Sequence, residues 1–286
     1  MASDVVRADG DWLALREPAD ADARAEELLD PLRAVLPARQ GLVVHDLGSG
    51  TGSMARWLAP RLPGPQQWVL HDRDRDLLDR AATYPPPRAA DGTEVRIETR
   101  GHDITRLGPG ALAGADLLTA SALLDMLTAA ELERLVAGCT EAGCPLLFTL
   151  SVVGRVELQP ADELDGDVMA AFNAHQRRTT AGGALLGPVA SGAAVAHLEA
   201  AGFDVTVRPS LWRLGPRRRA LTAAWLSGWV GPAVEQRPEL APVAEPYARR
   251  RLAQAAAGTL FVTVHHADLL ALPRRTVTAQ RASQTG

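Results

Sequence analysis

A doubly wound α/β fold, with seven mostly parallel strands, helices on both faces and helical insertions, is predicted by two observations. Short apolar runs alternate along the chain with segments of helical periodicity. The first of these runs ends in a glycine-rich turn that opens a helix. Parallel strands need a crossover, usually helical, between them. Sheets of this kind take ligands outside the carboxyl ends of their strands, where strand order reverses. The residues just after each strand are therefore the candidates for function.

Residues 1 to 10 carry no periodic pattern and read as loose. From about Ala21 to Leu36, the positions Ala25, Leu28, Leu29, Leu32 and Val35 recur at helical spacing, with Asp20 or Asp22 available as cap. A buried strand covers Gly41 to Leu47, and a helix from Ser53 to Leu62 follows. The second strand, Gln67 to Asp72, leads into a helix over Asp74 to Ala82 that Pro85, Pro86 and Pro87 terminate. A third strand spans Glu94 to Arg100, with Val95, Ile97 and Thr99 on one face, and a fourth spans Asp116 to Ala120. Thr128 opens a helix with Glu131 three residues on, a capping-box pattern. The fifth strand is Pro145 to Val152. After a long polar segment come a helix from Ser191 to Gly202 and a sixth strand, Asp204 to Val207. The seventh strand is Leu260 to His265, followed by the apolar run Ala267 to Leu272. Residues 1–273 read as one domain with insertions at about 156–190 and 209–258, and residues 274–286 as a disordered tail.

Composition narrows the class. Of 286 residues, 47% are apolar, enough for a substantial core, and aromatics at 4% leave that core to Leu, Val and Ala. A formal charge of -4 gives no electrostatic reason to expect a nucleic-acid partner. The runs Arg217 to Arg219 and Arg249 to Arg251 read as solvated helix faces. The chain has no Lys, a single Asn, two Tyr and two Ile, all residues with AT-rich codons, which points to a GC-rich bacterial genome. Cys139 and Cys144 read as core fillers in a reducing compartment. No uncharged run reaches membrane-helix length, and no signal-peptide pattern opens the chain, so a cytoplasmic protein without a membrane partner is expected.

The strongest signal is the segment from His45 to Gly52, HDLGSGTG. Glycine at 48, 50 and 52 permits tight backbone angles and close approach of a ligand. With Ser at 53, the spacing does not meet the dinucleotide G-x-G-x-x-G pattern. Asp72 ends the second strand, where a carboxylate can accept both hydroxyl hydrogens of a ribose; its other reading is a cap for the helix from Asp74. Asp103 and Ile104 follow the third strand and suit an adenine, with the carboxylate accepting from the amine and Ile104 covering the ring; core filling is the alternative for Ile104.

Asp46 to Gly52, Asp72, Asp103 with Ile104, and Ala115 to Asp125 resemble the successive motifs of class I S-adenosylmethionine-dependent methyltransferases, over roughly residues 20 to 155. The resemblance implies a seven-stranded, Rossmann-like sheet with the last strand antiparallel, and S-adenosylmethionine as cofactor. By it, Asp46, Gly48, Ser49 and Gly50 border the methionine part, Asp72 the ribose, Arg73 and Ile104 the adenine faces, and Asp103 the amine. Ala120 and Ser121 lie beneath the sulfonium, and Arg24 resembles the arginine that helps hold the methionine carboxylate. The chain departs from the pattern after the sixth strand, where about fifty residues with Trp212, Trp225 and Trp229 replace a short hairpin. These insertions are expected to build a substrate chamber, a lid or a homodimer surface.

Methyl transfer requires alignment and exclusion of water more than a dedicated catalyst, and a base only where the acceptor must lose a proton. Asp125, just past the fourth strand, can serve as that base or fix the helix start at Thr128. His175 is a second candidate, on a segment where Asn173, Gln176 and Arg177 share a polar face; a solvated helix face is the alternative. No spacing gathers three metal ligands on one element. The expected activity is methylation of a small-molecule acceptor at O, N or C, and the Arg-rich insertions leave an anionic acceptor open. The rivals are a nicotinamide-dependent oxidoreductase and a non-catalytic, S-adenosylmethionine-binding regulator.

Overall fold

Five strands run parallel in the order β3-β2-β1-β4-β5: Leu42–Leu47 (β1), Gln66–Asp72 (β2), Val95–Gly101 (β3), Leu117–Ser121 (β4) and Leu146–Gln159 (β5). Thr179–Thr180 (β6) and Gly183–Ala184 (β7) make a separate short hairpin. Phe203–Leu214 (β8) forms the far edge of the main sheet, and Phe261–Pro273 (β9) inserts between it and β5, antiparallel to both. The computed structural model describes residues 8–37, 41–108 and 110–274. The sequence expectations for 1–7 and 275–286 lie outside the described residues, as does Pro109.

Helices cover both faces. Leu32 of Leu29–Val35 (α2), Leu58 of Ser53–Leu58 (α3) and Leu78 of Arg75–Thr83 (α4) pack with Val44, Trp68 and Leu117 on one face. On the other, Leu132 and Leu135 of Ala129–Ala142 (α5) and Leu198 of Ala190–Ala200 (α7) pack with Leu118, Phe148 and Leu269. Each such fully buried side chain contributes about 1.5–3 kcal/mol. Local signals set the helix ends. Asp74 caps α4, and Thr128 with Glu131 forms the capping box of α5 in both directions.

The N-terminal helix differs from its prediction. Helix α1 runs from Gly10 to Ala23, with Asp9 accepting from the Asp11 and Trp12 N–H groups as its cap. The chain then leaves helical geometry at Arg24 and re-enters it through a 3-10 turn at Glu26–Leu28. Asp20 and Asp22 are therefore not caps. Asp20 is buried inside α1, paired with Arg16, and Asp22 pairs with Arg218.

Strands β5, β8 and β9 overrun the lengths read from sequence. The outer half of β5 alternates half-buried and exposed residues, and those of β8 and β9 bury only every second side chain, a pattern weaker than the apolar runs of the centre. The run Ala267 to Leu272 lies inside β9, not after it. On this extension sit Asp165–Gln176 (α6), Arg219–Gln236 (α8) and Ala241–Ala257 (α9), sharing an apolar cluster with Trp212, Trp225, Trp229 and Tyr247. Arg251, expected on a solvated face, is 1% exposed. It grips Asp165 through Nη2 at 2.5 and 2.6 Å while the Tyr247 hydroxyl donates to the same carboxylate. Arg250 pairs with Asp162 and Arg218 with Asp22, so these arginines tie the insertions down.

Asp268 of β9 is buried and accepts from three elements. Oδ2 takes the Ala25 N–H at 2.8 Å, and Oδ1 takes the Leu150 N–H at 2.7 Å and the Ser210 hydroxyl at 2.6 Å. Burial raises its pKa, opposed by the Ser210 hydroxyl, the two N–H groups and Arg24. Leu150 sits where β5 shifts register, with φ +58°. Asp268→Ala leaves three buried donors unmet, each costing about 1–3 kcal/mol. Urea unfolding is expected to show a loss of about 3 kcal/mol or more, with Asp268→Asn losing less; a loss under about 1 kcal/mol for the alanine variant contradicts this reading.

Three imidazoles line up across neighbouring strands. His71 Nδ1 lies 2.8 Å from His102 Nε2, and His71 Nε2 lies 3.0 Å from His45 Nδ1. Burial, with His45, His102 and Arg100, pulls His71 down to about 3; burial and Arg100 pull His45 to about 4 against Glu98. The unfolded chain, with histidine near 6.5, therefore binds more protons, and this row costs stability as pH falls below 6.5. His71→Phe removes its share. Relative to the parent, the variant should gain on the order of 2 kcal/mol between pH 7.5 and 5.0, from the His71 shift alone. Thermal melts at the two pH values check it; a pH-independent difference would contradict it.

Candidate functional site

The turn between β1 and α3 lies at the switch point, where β2 leaves β1 on one side and β4 on the other. Gly48, Gly50 and Gly52 have φ of +66°, +53° and +78°. A Cβ on Gly48 would stand 2.8 Å from Leu123 Cδ1, so this position is restricted by space as well as by backbone. The turn is braced from below. Ser49 N–H donates to His71 O, Gly50 N–H to Asp72 Oδ2 at 2.8 Å, and Asp74 N–H to Asp72 Oδ1 at 2.9 Å. Asp74, not Asp72, caps α4; each Asp72 oxygen keeps a lone pair for a further donor.

Above the turn opens a cavity of about 1000 Å³. Asp46, Gly48, Ser49 and Gly50 form one end of its lining, joined by Asp72, Arg73, Asp103 and Ile104 from successive strand ends. Ser121 and Asp125 follow β4 into the same space. The structure thus brings together ten of the residues singled out from sequence.

Asp46 is buried, and its Oδ1 accepts from Thr119 Oγ1 at 2.7 Å while Oδ2 has no partner. Burial pushes it up to about 7, against the Thr119 hydroxyl and Arg24. Ser49 Oγ is likewise unpartnered. Arg24 does not line the cavity but lies behind Ser121. Its Nη2 donates to Ser121 Oγ at 3.2 Å, its Nε to Thr149 Oγ1 at 3.4 Å, its guanidinium stacks 5.1 Å from the Trp57 ring, and Nη1 is unpartnered. Asp103 caps the 3-10 turn Ile104–Arg106; burial opposes its ionisation, but the Thr105 hydroxyl and N–H and nearby Arg73 outweigh it and lower its pKa. Ile104 is buried at the cavity edge, so it fills core and lines the site at once.

Asp125 sits in the 3-10 turn Leu124–Met126, and burial pushes it up to about 6 against its own N–H and Arg16. It takes no part in starting α5, which Thr128 and Glu131 do. His175 is not among the cavity-lining residues. It is half-buried beside Glu235, with Nε2 3.4 Å from the carboxylate, while its neighbours Phe172, Asn173 and Gln176 face the cavity. On a helix, adjacent positions point about 100° apart, and α6 turns the histidine away. The Arg217–Arg219 and Arg249–Arg251 runs are also absent from the lining, so they offer nothing to an anionic acceptor there.

Sequence reasoning missed α1, which contributes Trp12, Leu13 and Arg16 to the lining. The available signal was Asp9 as cap with Trp12 three positions later. It also missed His266, whose long strand was read as ending one residue earlier. Among the described residues no cluster of His, Cys, Asp and Glu could hold a metal ion, and no helix is long and apolar enough to cross a membrane.

No protein-family model matches the chain. A stretch of 114 residues, 39% of this chain, is 37% identical to acetylserotonin O-methyltransferase of Mus musculus. The match spans only 28% of that protein's length. Among solved structures, a protein provisionally assigned as a type II methyltransferase from Anaeromyxobacter dehalogenans superposes with a TM-score of 0.51 at 21% identity, covering 87% of this chain and 97% of the other. The strand order β3-β2-β1-β4-β5-β9-β8, with β9 alone antiparallel, agrees with that likeness. The chain has the fold of class I S-adenosylmethionine-dependent methyltransferases.

Proposed function

We propose that the protein transfers a methyl group from S-adenosylmethionine to a small-molecule acceptor in this cavity. The observation that carries the reading is the glycine turn at the switch point, with acidic residues at the next two strand ends around one continuous space. The chemistry of the lining fits the cofactor. Asp46 Oδ2 and Ser49 Oγ, both lacking protein partners, suit the methionine ammonium; Arg24, acting through or beside Ser121, suits its carboxylate. Asp72 accepts from the ribose hydroxyls, Ile104 and Arg73 flank the adenine, and Asp103 accepts from its amine.

S-adenosylmethionine supplies an electrophilic methyl group on a sulfonium. The protein's part is to position and to exclude water. Asp72 holds the turn rigid through the Gly50 N–H while keeping acceptor capacity for a ligand. Asp125 is the group suited to receive an acceptor proton, since a carboxyl at about 6 is ionised near neutrality yet more basic than an exposed one. His175, turned towards Glu235, is not assigned a role in proton transfer. The buried thiols Cys139 and Cys144 fit a reducing cytoplasm.

Calorimetric titration with S-adenosylhomocysteine, with NAD and NADP alongside, tests the cofactor. One-site binding of the first alone is expected; binding of a nicotinamide nucleotide instead would install the oxidoreductase reading. Asp72→Asn, which keeps one acceptor for the turn, should weaken S-adenosylhomocysteine binding about tenfold or more, the cost of losing a charged acceptor. An unchanged affinity would move the ribose elsewhere. Once an acceptor is in hand, turnover should rise with pH through about 6 as Asp125 ionises, and Asp125→Asn should abolish that limb. If the limb survives in the variant, another group takes the proton. Absence of turnover across broad metabolite pools, with cofactor binding intact, would favour a regulatory role.

A further inference from the structure

We infer that the acceptor end of the cavity is built for a neutral, planar aromatic molecule. The inference rests on the methyl-transfer reading of the same cavity and adds the chemical class of the second ligand. The volume permits two occupants, because about 1000 Å³ is the upper end of the roughly 300–1,000 Å³ that ligand pockets span.

The rings are concentrated here. The chain has six Trp, and four of them, Trp12, Trp212, Trp225 and Trp229, line this one cavity together with Phe172. They come from α1, β8, α8 and α6, so four separate elements converge to place them. Trp225 and Trp229 stack on each other with centroids 5.0 Å apart and planes at 21°, one turn apart on α8. Stacked, buried indoles present rigid faces to an incoming ring and lose little entropy on binding it. In a protein with 4% aromatic residues, general core filling does not call for this concentration.

The charges at this end are already matched, apart from the Asp125 carboxyl, which on the methyl-transfer reading receives the acceptor's proton. Arg16 gives Nε to Asp20 at 2.9 Å and lies over the Trp212 ring at 4.9 Å and the Trp12 ring at 5.9 Å. Asp20 also accepts from Trp212 Nε1 at 2.9 Å. Arg155 pairs with Glu157. An anion therefore finds its cations engaged. An alkylammonium finds two of the indole faces already taken by Arg16. The polar groups left at α6 are the neutral amides of Asn173 and Gln176; Asn173 Nδ2 donates to Gly154 O at 2.7 Å, which fixes that amide. Desolvating a charge without a free partner is costly, whereas a neutral ring loses little on entering.

The test is a matched set of probes titrated calorimetrically into the full chain at pH 7.5, with and without saturating S-adenosylhomocysteine: 2-naphthol, 2-naphthoate, (2-naphthyl)trimethylammonium and the saturated decalin-2-ol. The expected result is that 2-naphthol binds at least tenfold more tightly than each of the other three. Trp225→Leu and Phe172→Leu should each weaken 2-naphthol about fivefold to tenfold while S-adenosylhomocysteine affinity stays within twofold, which also shows that the variants are folded. Tighter binding of the naphthoate, the ammonium or decalin-2-ol, or no binding of any probe, overturns the inference. If S-adenosylhomocysteine fails to bind but the 2-naphthol preference persists in its absence, the aromatic site stands and the cofactor reading falls.

Discussion

The buried carboxylate of Asp268 is the interaction on which the working end of the molecule depends. It joins β9, the break after α1, the register shift in β5 and the middle of β8 through three hydrogen bonds. Each of these places has a function in shaping the cavity. The break at Ala25 lets Arg24 turn inward to Ser121 and Thr149. The shift at Leu150 redirects β5, whose Leu150, Val152 and Val156 then line the cavity. Ser210 lies two residues before Trp212 on β8. A single acceptor with four lone-pair sites satisfies three backbone or hydroxyl donors that the irregular geometry would otherwise leave unmet.

Around this centre, the two ends of the cavity obey different rules. At the glycine turn the lining is backbone and carboxylate, with acceptors and left-handed glycines brought to successive strand ends by the parallel sheet itself. Strand parallelism dictates that these ends lie side by side, so the positions of Asp46, Asp72 and Asp103 follow from topology. At the other end the lining is side chain, contributed by α1, α6 and α8 together with the long strands β5, β8 and β9. The first end can be assembled from local chain rules, and the second requires distant segments to meet.

The extended strands explain how they meet. β5, β8 and β9 continue past the other strands, and their outer halves carry α6, α8 and α9. The Arg251–Asp165–Tyr247 cluster locks α9 to the start of α6. Breaking one partner of such a buried pair would leave an uncompensated charge, so the cluster holds the helical cap in one arrangement. That rigidity suits a wall whose indoles must present fixed faces. Asp125, at the boundary between the two ends, experiences both: the burial from the cap and the proximity of β4's end.

Much of the frame was legible in the sequence. Period-two and period-3.6 patterns, the glycine turn and the capping box at Thr128 are local, and local chemistry decides them. The glycine-turn end of the cavity was readable for the same reason, because its residues lie at or just past strand ends. Three features were not readable. Helix α1 was hidden because its inner face mixes Trp12, Arg16 and Asp20, whose charges are buried only because they pair with each other and with Trp212. The outer halves of β5 and β8 were hidden because alternation with exposed residues carries little apolar signal, and the full length of β9 was hidden because its apolar run Ala267 to Leu272 read as a separate segment. The facing of α6, with Asn173 and Gln176 inward and His175 against Glu235, depended on where α8 lies. The sequence alone determined the doubly wound sheet and the chemistry at its strand ends. The tertiary structure decided which aromatic and charged side chains close the chamber, because those contacts join residues up to two hundred positions apart, a separation that no local pattern encodes.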